Sequence, residues 1–169
     1  MSRPGPGGKA DRFTHLDETG AARMVDVTGK PVSDRAARAT GFVEVSPAVV
    51  ELLRGPGVPK GDALSVARVA GIMGAKKTPE LVPLCHPIGI TGVKVELSVE
   101  DRGVAIEARV KTADRTGVEM EALTAVAVAG LTVIDMVKAV DPAAVLTAVR
   151  VETKTGGVSG DWQRDEPEA

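Results

Sequence analysis

The spacing of hydrophobic residues changes several times along this chain, and each change marks out an element. Phe42 to Val45 alternates apolar and polar positions as a short strand. Ser46-Pro47 then supplies a cap and a proline at the first helical position, and Gly55 ends the short helix AVVELLR. Asp62 caps a longer helix, ALSVARVAGIMGAKK, which closes on Lys76 and Lys77, where the helix dipole favours cations, and stops at Thr78-Pro79. Val93, Val95, Leu97 and Val99 alternate with Lys94, Glu96, Ser98 and Glu100. Asp101-Arg102-Gly103 turns, and Val104, Ile106, Ala108 and Val110 alternate again, as in a hairpin with one wet face. A long apolar helix follows within Thr116 to Val140, Asp141-Pro142 breaks it, and Val145 to Val151 makes a last strand.

The order strand, helix, strand, strand, helix, strand predicts an α+β, ferredoxin-like fold: a four-stranded antiparallel sheet with helices on one face, plus one short extra helix. Gly71 and Gly74 weaken the longer helix, and the expected compensation is another backbone packed closely against the small residues Ala67, Ala70, Gly71 and Gly74. Residues 1–13, rich in Gly and Pro, are expected to be a disordered arm, 14–162 a single catalytic domain, and 163–169 a polar tail. The stretch THLDETGAARMVDVTGKPVSDRAARATG is rich in turn formers and is expected to drape over the surface, with Arg23, Arg35 and Arg38 available.

Within the long helix, Ala122 to Ile134 contains only two threonines of polarity, so no face favours water and burial on all sides is predicted. Its charges stand at the ends: Glu119 and Glu121 where it begins, Asp135 and Lys138 where it finishes. Glu121 and Asp135 fall near one azimuth, but the rise between them separates them by about 21 Å. One small-molecule site is not expected to use both from one copy. If both ends do chemistry, one site takes one end from each of two subunits.

Composition narrows the function. The 169 residues include two Phe, one Trp and no Tyr, which argues against modules that stack bases on aromatic rings. A net charge of -2 makes no field that would gather nucleic acid or an anionic membrane, so an anionic ligand needs a local basic cluster. Cys85 is the only cysteine, which rules out an internal disulfide. MSRPGPGGKADR has no apolar core like that of a signal peptide and no run of 18 apolar residues occurs, so the cytoplasm is the expected setting. His15, His86 and Cys85 are spaced unlike any zinc set, and no metal is expected.

Chemistry is concentrated in a few places. TPELVPLCHPIGITG holds three prolines, Cys85 and His86. Adjacent side chains point apart, so Cys85 reads as a small buried thiol rather than the partner of a Cys-His pair. Pro83 and Pro87 stiffen the backbone around His86 and fix its direction, although a structural histidine reads the same way. Asp135 and Lys138, three apart, make either a surface ion pair worth about 0.2 to 0.5 kcal/mol or, if desolvated beside Val133, Ile134, Met136 and Val137, a pair suited to proton transfer. Glu119 and Glu121 either favour the helix N-terminus or join the site. Lys60, Arg68, Lys76, Lys77 and Lys154, with the TGG loop at Thr155 to Gly157, offer a phosphate cradle without any Walker or GxGxxG signature.

Taken together, DETGAARMVDV, KGDALSVARVAGIMGAKKTPELVPLCHP, RTGVEMEALTAVAVAGLTVIDMVKAVD and KTGGVSGDW closely resemble the cyclic pyranopterin monophosphate synthase family, the molybdenum cofactor biosynthesis protein C family, from about Thr14 to Trp162. The resemblance implies a ferredoxin-like subunit, a hexamer built as a trimer of dimers, and sites at the dimer interfaces. It implies a lyase that converts 3′,8-cyclo-7,8-dihydro-GTP to cyclic pyranopterin monophosphate and pyrophosphate, with no cofactor and no nucleic-acid or membrane partner. By motif, Leu84, Cys85, His86, Met120 and Glu121 line the substrate. Asp135 resembles the catalytic carboxylate, with Lys60 and Lys138 as basic partners, Glu119 beside them and His86 as a further proton donor or acceptor. Arg35 matches an arginine directed at the triphosphate. The tail loop departs from the family pattern, with Val158 where a lysine is usual, and Val158 is left out of the expected site.

Overall fold

Residues 15–16, 19–55 and 62–165 are described by the computed structural model. The expected arm at 1–13 and the loop that carries Lys60 lie outside the described residues. Strands β1 (Ser33–Glu44), β2 (Ile90–Glu100), β3 (Gly103–Asp114), β4 (Val145–Thr155) and β5 (Trp162–Gln163) form one sheet in the order β2-β3-β1-β4-β5, and each neighbouring pair is antiparallel. Helix α1 (Pro47–Arg54), helix α2 (Ala63–Lys76) and the single turn α3 (Thr78–Leu81) connect β1 to β2, and helix α4 (Glu119–Val137) connects β3 to β4. This is the α+β arrangement that the order of elements predicts, with β3 inserted between β1 and β2.

Two strands differ from expectation. β1 begins at Ser33 rather than Phe42, so 33–41 is the sheet's central strand and not a surface drape. Its inward positions are Ala37, Ala39, Gly41 and Val43, and their small size hides the alternation from a reading of hydrophobicity. Small residues are needed because α4 lies against them: a Cβ on Gly41 would stand 2.5 Å from Val126 Cγ1. The fifth strand, two residues long, pairs Trp162 with Lys154 and Gln163 with Thr153. It has no pattern long enough to announce it.

The core lies between the sheet and the pair α2, α4. Ala37, Ala39 and Val43 of β1, Val95 of β2 and Val104, Ile106, Ala108 and Val110 of β3 meet Ala67 and Ala75 of α2 and Ala122, Val126 and Val133 of α4. The expected close approach is present, since a Cβ on Gly71 would stand 2.8 Å from Ala125 O, and one on Gly74 2.8 Å from Val128 Cγ2. Helix α4 is long and apolar enough to pass for a membrane span by length and composition, yet Ala122, Ala125, Val126, Ala129 and Val133 are fully buried in this core. Its two threonines satisfy themselves by donating to the carbonyls one turn back, Thr124 to Met120 O and Thr132 to Val128 O, both at 2.8 Å. Burial on all sides is not what the single chain shows. The sheet and α2 cover part of the circumference, and Leu131, 61 % exposed, stands on the uncovered stripe. On the sheet's other face charges pair in rows, as where Glu107 accepts from Arg38 at 2.9 Å and from Arg109 at 2.6 Å.

Candidate active site

A cavity of about 440 Å³ opens at the N-terminal end of α4. The first turn of the helix forms its floor with Glu119, Met120 and Glu121, and one wall is the proline-braced loop carrying Leu84, Cys85 and His86. Opposite stand Arg35 and Ala36 of β1, with Lys154, Thr155, Gly156 and Ser159 from the end of β4. Arg115, Thr116 and Gly117 close a third side, and His15, Val25, Val27 and Lys30 form the rim.

Local bonds fix these walls. The loop after α3 is held to β3 at Gly89, whose N–H donates to Asp114 Oδ2 at 3.2 Å and whose carbonyl accepts from Thr112 Oγ1 at 2.7 Å. Asp114 Oδ1 also accepts from the Arg115 N–H at 2.7 Å. That bond first, then the Gly89 N–H and the Arg115 and Arg35 charges, hold the Asp114 carboxyl below the usual aspartate range. One carboxylate therefore ties together the loop with His86 and the loop that opens α4. Arg115 Nε donates to Lys30 O at 3.0 Å, which fastens the rim.

Arg35 Nε donates to Asp114 O at 2.9 Å, while its Nη2 is buried with no hydrogen-bond partner, a donor that an anion in the cavity would satisfy. The guanidinium lies against the backbone of Gly157, where a Cβ would collide with Nη1. Gly156, at φ 82, packs its Cα on the Asp34 carbonyl, so any side chain there would collide with backbone. The TGG loop thus needs glycine to let β4 close over β1.

Electrostatically the cavity has two characters. Lys30, Arg35, Arg115 and Lys154 bring four positive groups to its lining. At the floor Glu121 is 3 % exposed, and burial, with a smaller contribution from Glu119, pushes its carboxyl from the ordinary 4.5 to about 7. The Cys85 thiol is pushed up by burial and by the Glu121 carboxylate, which keeps it protonated and suits the reading of a small packing group rather than a nucleophile. Among the described residues no group of three or more His, Cys, Asp or Glu is placed to hold a metal ion.

Of the residues expected from the sequence, Arg35, Leu84, Cys85, His86, Glu119, Met120 and Glu121 are brought together here. Asp135 and Lys138 are not. They stand at the other end of α4, paired at 2.7 Å with side chains 55 % and 58 % exposed. Lys60 lies outside the described residues. Among the described residues of the suggested phosphate cradle, only Lys154 and the TGG loop reach the cavity; Arg68 instead donates to Val95 O, and Lys77 pairs with Glu80. Lys30, Arg115 and Ser159 were missed. Arg115 stands immediately before the TGVEMEALTA motif, so its position was a signal, whereas Lys30 reaches the cavity through a fold-back that no periodicity records.

The model of the MoaC family matches residues 24–157. A cyclic pyranopterin monophosphate synthase of Streptomyces avermitilis is 72% identical over 161 residues, covering 95% of this chain and 94% of the relative. The synthase of Streptomyces coelicolor is 69% identical over 97% of this chain and 98% of its own length, and that of Corynebacterium glutamicum strain R 58% identical over 89% and 97%. A match of this extent takes in every wall of the cavity except the rim at His15 and the far side of the glycine loop at Ser159, and the chain belongs to the MoaC family.

Proposed function

We propose that this protein is a cyclic pyranopterin monophosphate synthase, converting 3′,8-cyclo-7,8-dihydro-GTP to cyclic pyranopterin monophosphate with release of pyrophosphate, in molybdenum cofactor biosynthesis. The observation that carries the reading is the joining, in one cavity, of four cations and a buried carboxyl that burial pushes up to about 7. The cations suit a triphosphate, whose leaving pyrophosphate gathers negative charge that preplaced donors stabilise. Rebuilding a purine into a pterin moves protons repeatedly, and a carboxyl near pH 7 gives or takes one at little cost. Leu84, Cys85 and Met120 supply a less polar flank for the ring system, with His86 beside them.

Asp135, Lys138 and, by resemblance, Lys60 complete the site from a second copy in this reading, within a hexamer arranged as a trimer of dimers. Three features support it: the length of α4 between its charged ends, the exposure of the Asp135–Lys138 pair, and the uncovered Leu131 stripe that runs between the two ends. Purified protein incubated with the cyclic GTP derivative is expected to release pyrophosphate in proportion to product. Tight binding without release, in correctly assembled protein, would instead make the chain a nucleotide sensor.

A further inference from the structure

Lys154 is the one cation of the wall whose ammonium sits between two competing partners. It donates to Ser159 Oγ at 2.5 Å, while Glu119 Oε1 stands 3.9 Å away, beyond hydrogen-bond length. The lysine stem is flexible and does not choose between them by itself. The serine, in contrast, is carried by a bonded turn. It rides on the turn after β4, shaped by the positive φ of Gly156, Gly157 and Gly160 (82°, 78° and 70°). Gly160 N–H closes the turn onto Gly157 O at 3.2 Å, and Gly156 N–H donates to Asp161 Oδ1 at 2.9 Å.

We propose that Ser159 is a positioning residue that acts through Lys154: its hydroxyl keeps the ammonium's ion pair with Glu119 loose, at 3.9 Å, and leaves the ammonium available to the substrate's phosphates in the cavity. Removing the hydroxyl leaves a carboxylate as the nearest partner. The existing 3.9 Å ion pair with Glu119 then tightens into a hydrogen-bonded one, and the ammonium is less available to the ligand. Threonine, which keeps the hydroxyl, preserves the arrangement. The inference rests on reading the cavity as the seat of a phosphate-bearing substrate.

Two measurements test it, calorimetric titration with inorganic pyrophosphate and steady-state kinetics with the cyclic GTP derivative, on Ser159→Ala, Ser159→Thr, Lys154→Ala and the double variant Lys154→Ala/Ser159→Ala. Ser159→Ala is expected to weaken pyrophosphate binding by about fivefold, to raise KM by a similar factor and to leave kcat nearly unchanged. Ser159→Thr stays within about twofold of the unmodified protein. In the Lys154→Ala background the Ser159→Ala change has no further effect, because the two act as one unit. Undiminished binding in Ser159→Ala overturns the inference, as does an equal loss with or without Lys154, or an unmodified protein that does not bind pyrophosphate. Absence of turnover with the pyrophosphate pattern intact would sink the proposed reaction and leave Ser159's role standing; turnover with additive losses would do the reverse.

Discussion

Replacing Glu121 by glutamine keeps the shape of the side chain and removes its titration. In the folded protein the carboxyl titrates near 7 against an ordinary 4.5. Between those values the folded chain holds a proton that the unfolded chain has released, so stability falls as pH rises through the window and levels off above it. At about 1.4 kcal/mol for each pH unit separating the two values, the ionised form costs a ceiling of roughly 3 kcal/mol above pH 7. The side chain is 3 % exposed, so water screens little of this, although its border on an open cavity keeps the realised cost under that ceiling. Glutamine has no such step. Urea unfolding of both proteins at fixed concentration, from pH 4.5 to 8, is expected to show Glu121→Gln gaining on the unmodified protein by roughly 1 to 3 kcal/mol across the series. Contributions common to the two proteins cancel in the difference. A difference that is flat with pH would refute the assignment of burial as the cause. If the same carboxyl exchanges the proton in turnover, the limb of the kcat/KM profile near pH 7 also vanishes in this variant.

Four further outcomes follow from the packing and the site. Asp135→Ala and Lys138→Ala are each expected to abolish most turnover while keeping the oligomer, and loss of assembly together with activity would make the pair structural; sizing of each variant beside the pyrophosphate assay checks this. Mixed oligomers of Glu121→Ala and Asp135→Ala subunits are expected to regain activity that neither has alone, and none in confirmed mixed oligomers would count against a shared site. Gly71→Ala drives a Cβ to 2.8 Å from Ala125 O and is expected to cost about 1 to 3 kcal/mol in denaturant unfolding. Ala148→Gly relieves a left-handed backbone at φ 51 in the bulged part of β4 and is expected to stabilise by roughly 0.5 to 1 kcal/mol, measured the same way.

What the sequence revealed and what it hid have physical causes. The β2–β3 hairpin was evident because aliphatic residues repeat at the period of a strand, as Val104, Ile106, Ala108 and Val110 do, and α4 because its apolar run is too long for a strand and carries its charges at the ends. The first half of β1 was hidden because a strand lying under a helix uses Ala37, Ala39 and Gly41 where an ordinary strand uses Val or Ile. Among site residues, Leu84 to His86 and Glu119 to Glu121 stood out through their prolines, motif spacing and helix start. Lys30 and Ser159 depend on the path of irregular loops, set by bonds such as Arg115 Nε to Lys30 O rather than by local pattern. Arg68 shows the converse, since its place on α2 gave no hint that its guanidinium turns to Val95 O.

The two ends of α4 are each chemically unfinished in the same chain, and in complementary ways. At the Asp135–Lys138 end a carboxylate and an ammonium lie 2.7 Å apart with both side chains exposed, a setting in which such a pair contributes about 0 to 1 kcal/mol. Desolvation by a covering surface is what would give it a function. At the Glu121 end the cavity has cations and a neutral-range carboxyl, with Lys154 and Glu119 loosely paired at 3.9 Å, but the Asp135–Lys138 pair does not reach it. A helix cannot fold back on itself to close the roughly 21 Å between them. Two copies in antiparallel contact along the Leu131 stripe would remedy both defects at once, because the same contact that covers the exposed pair of one chain delivers it to the open cavity of the other.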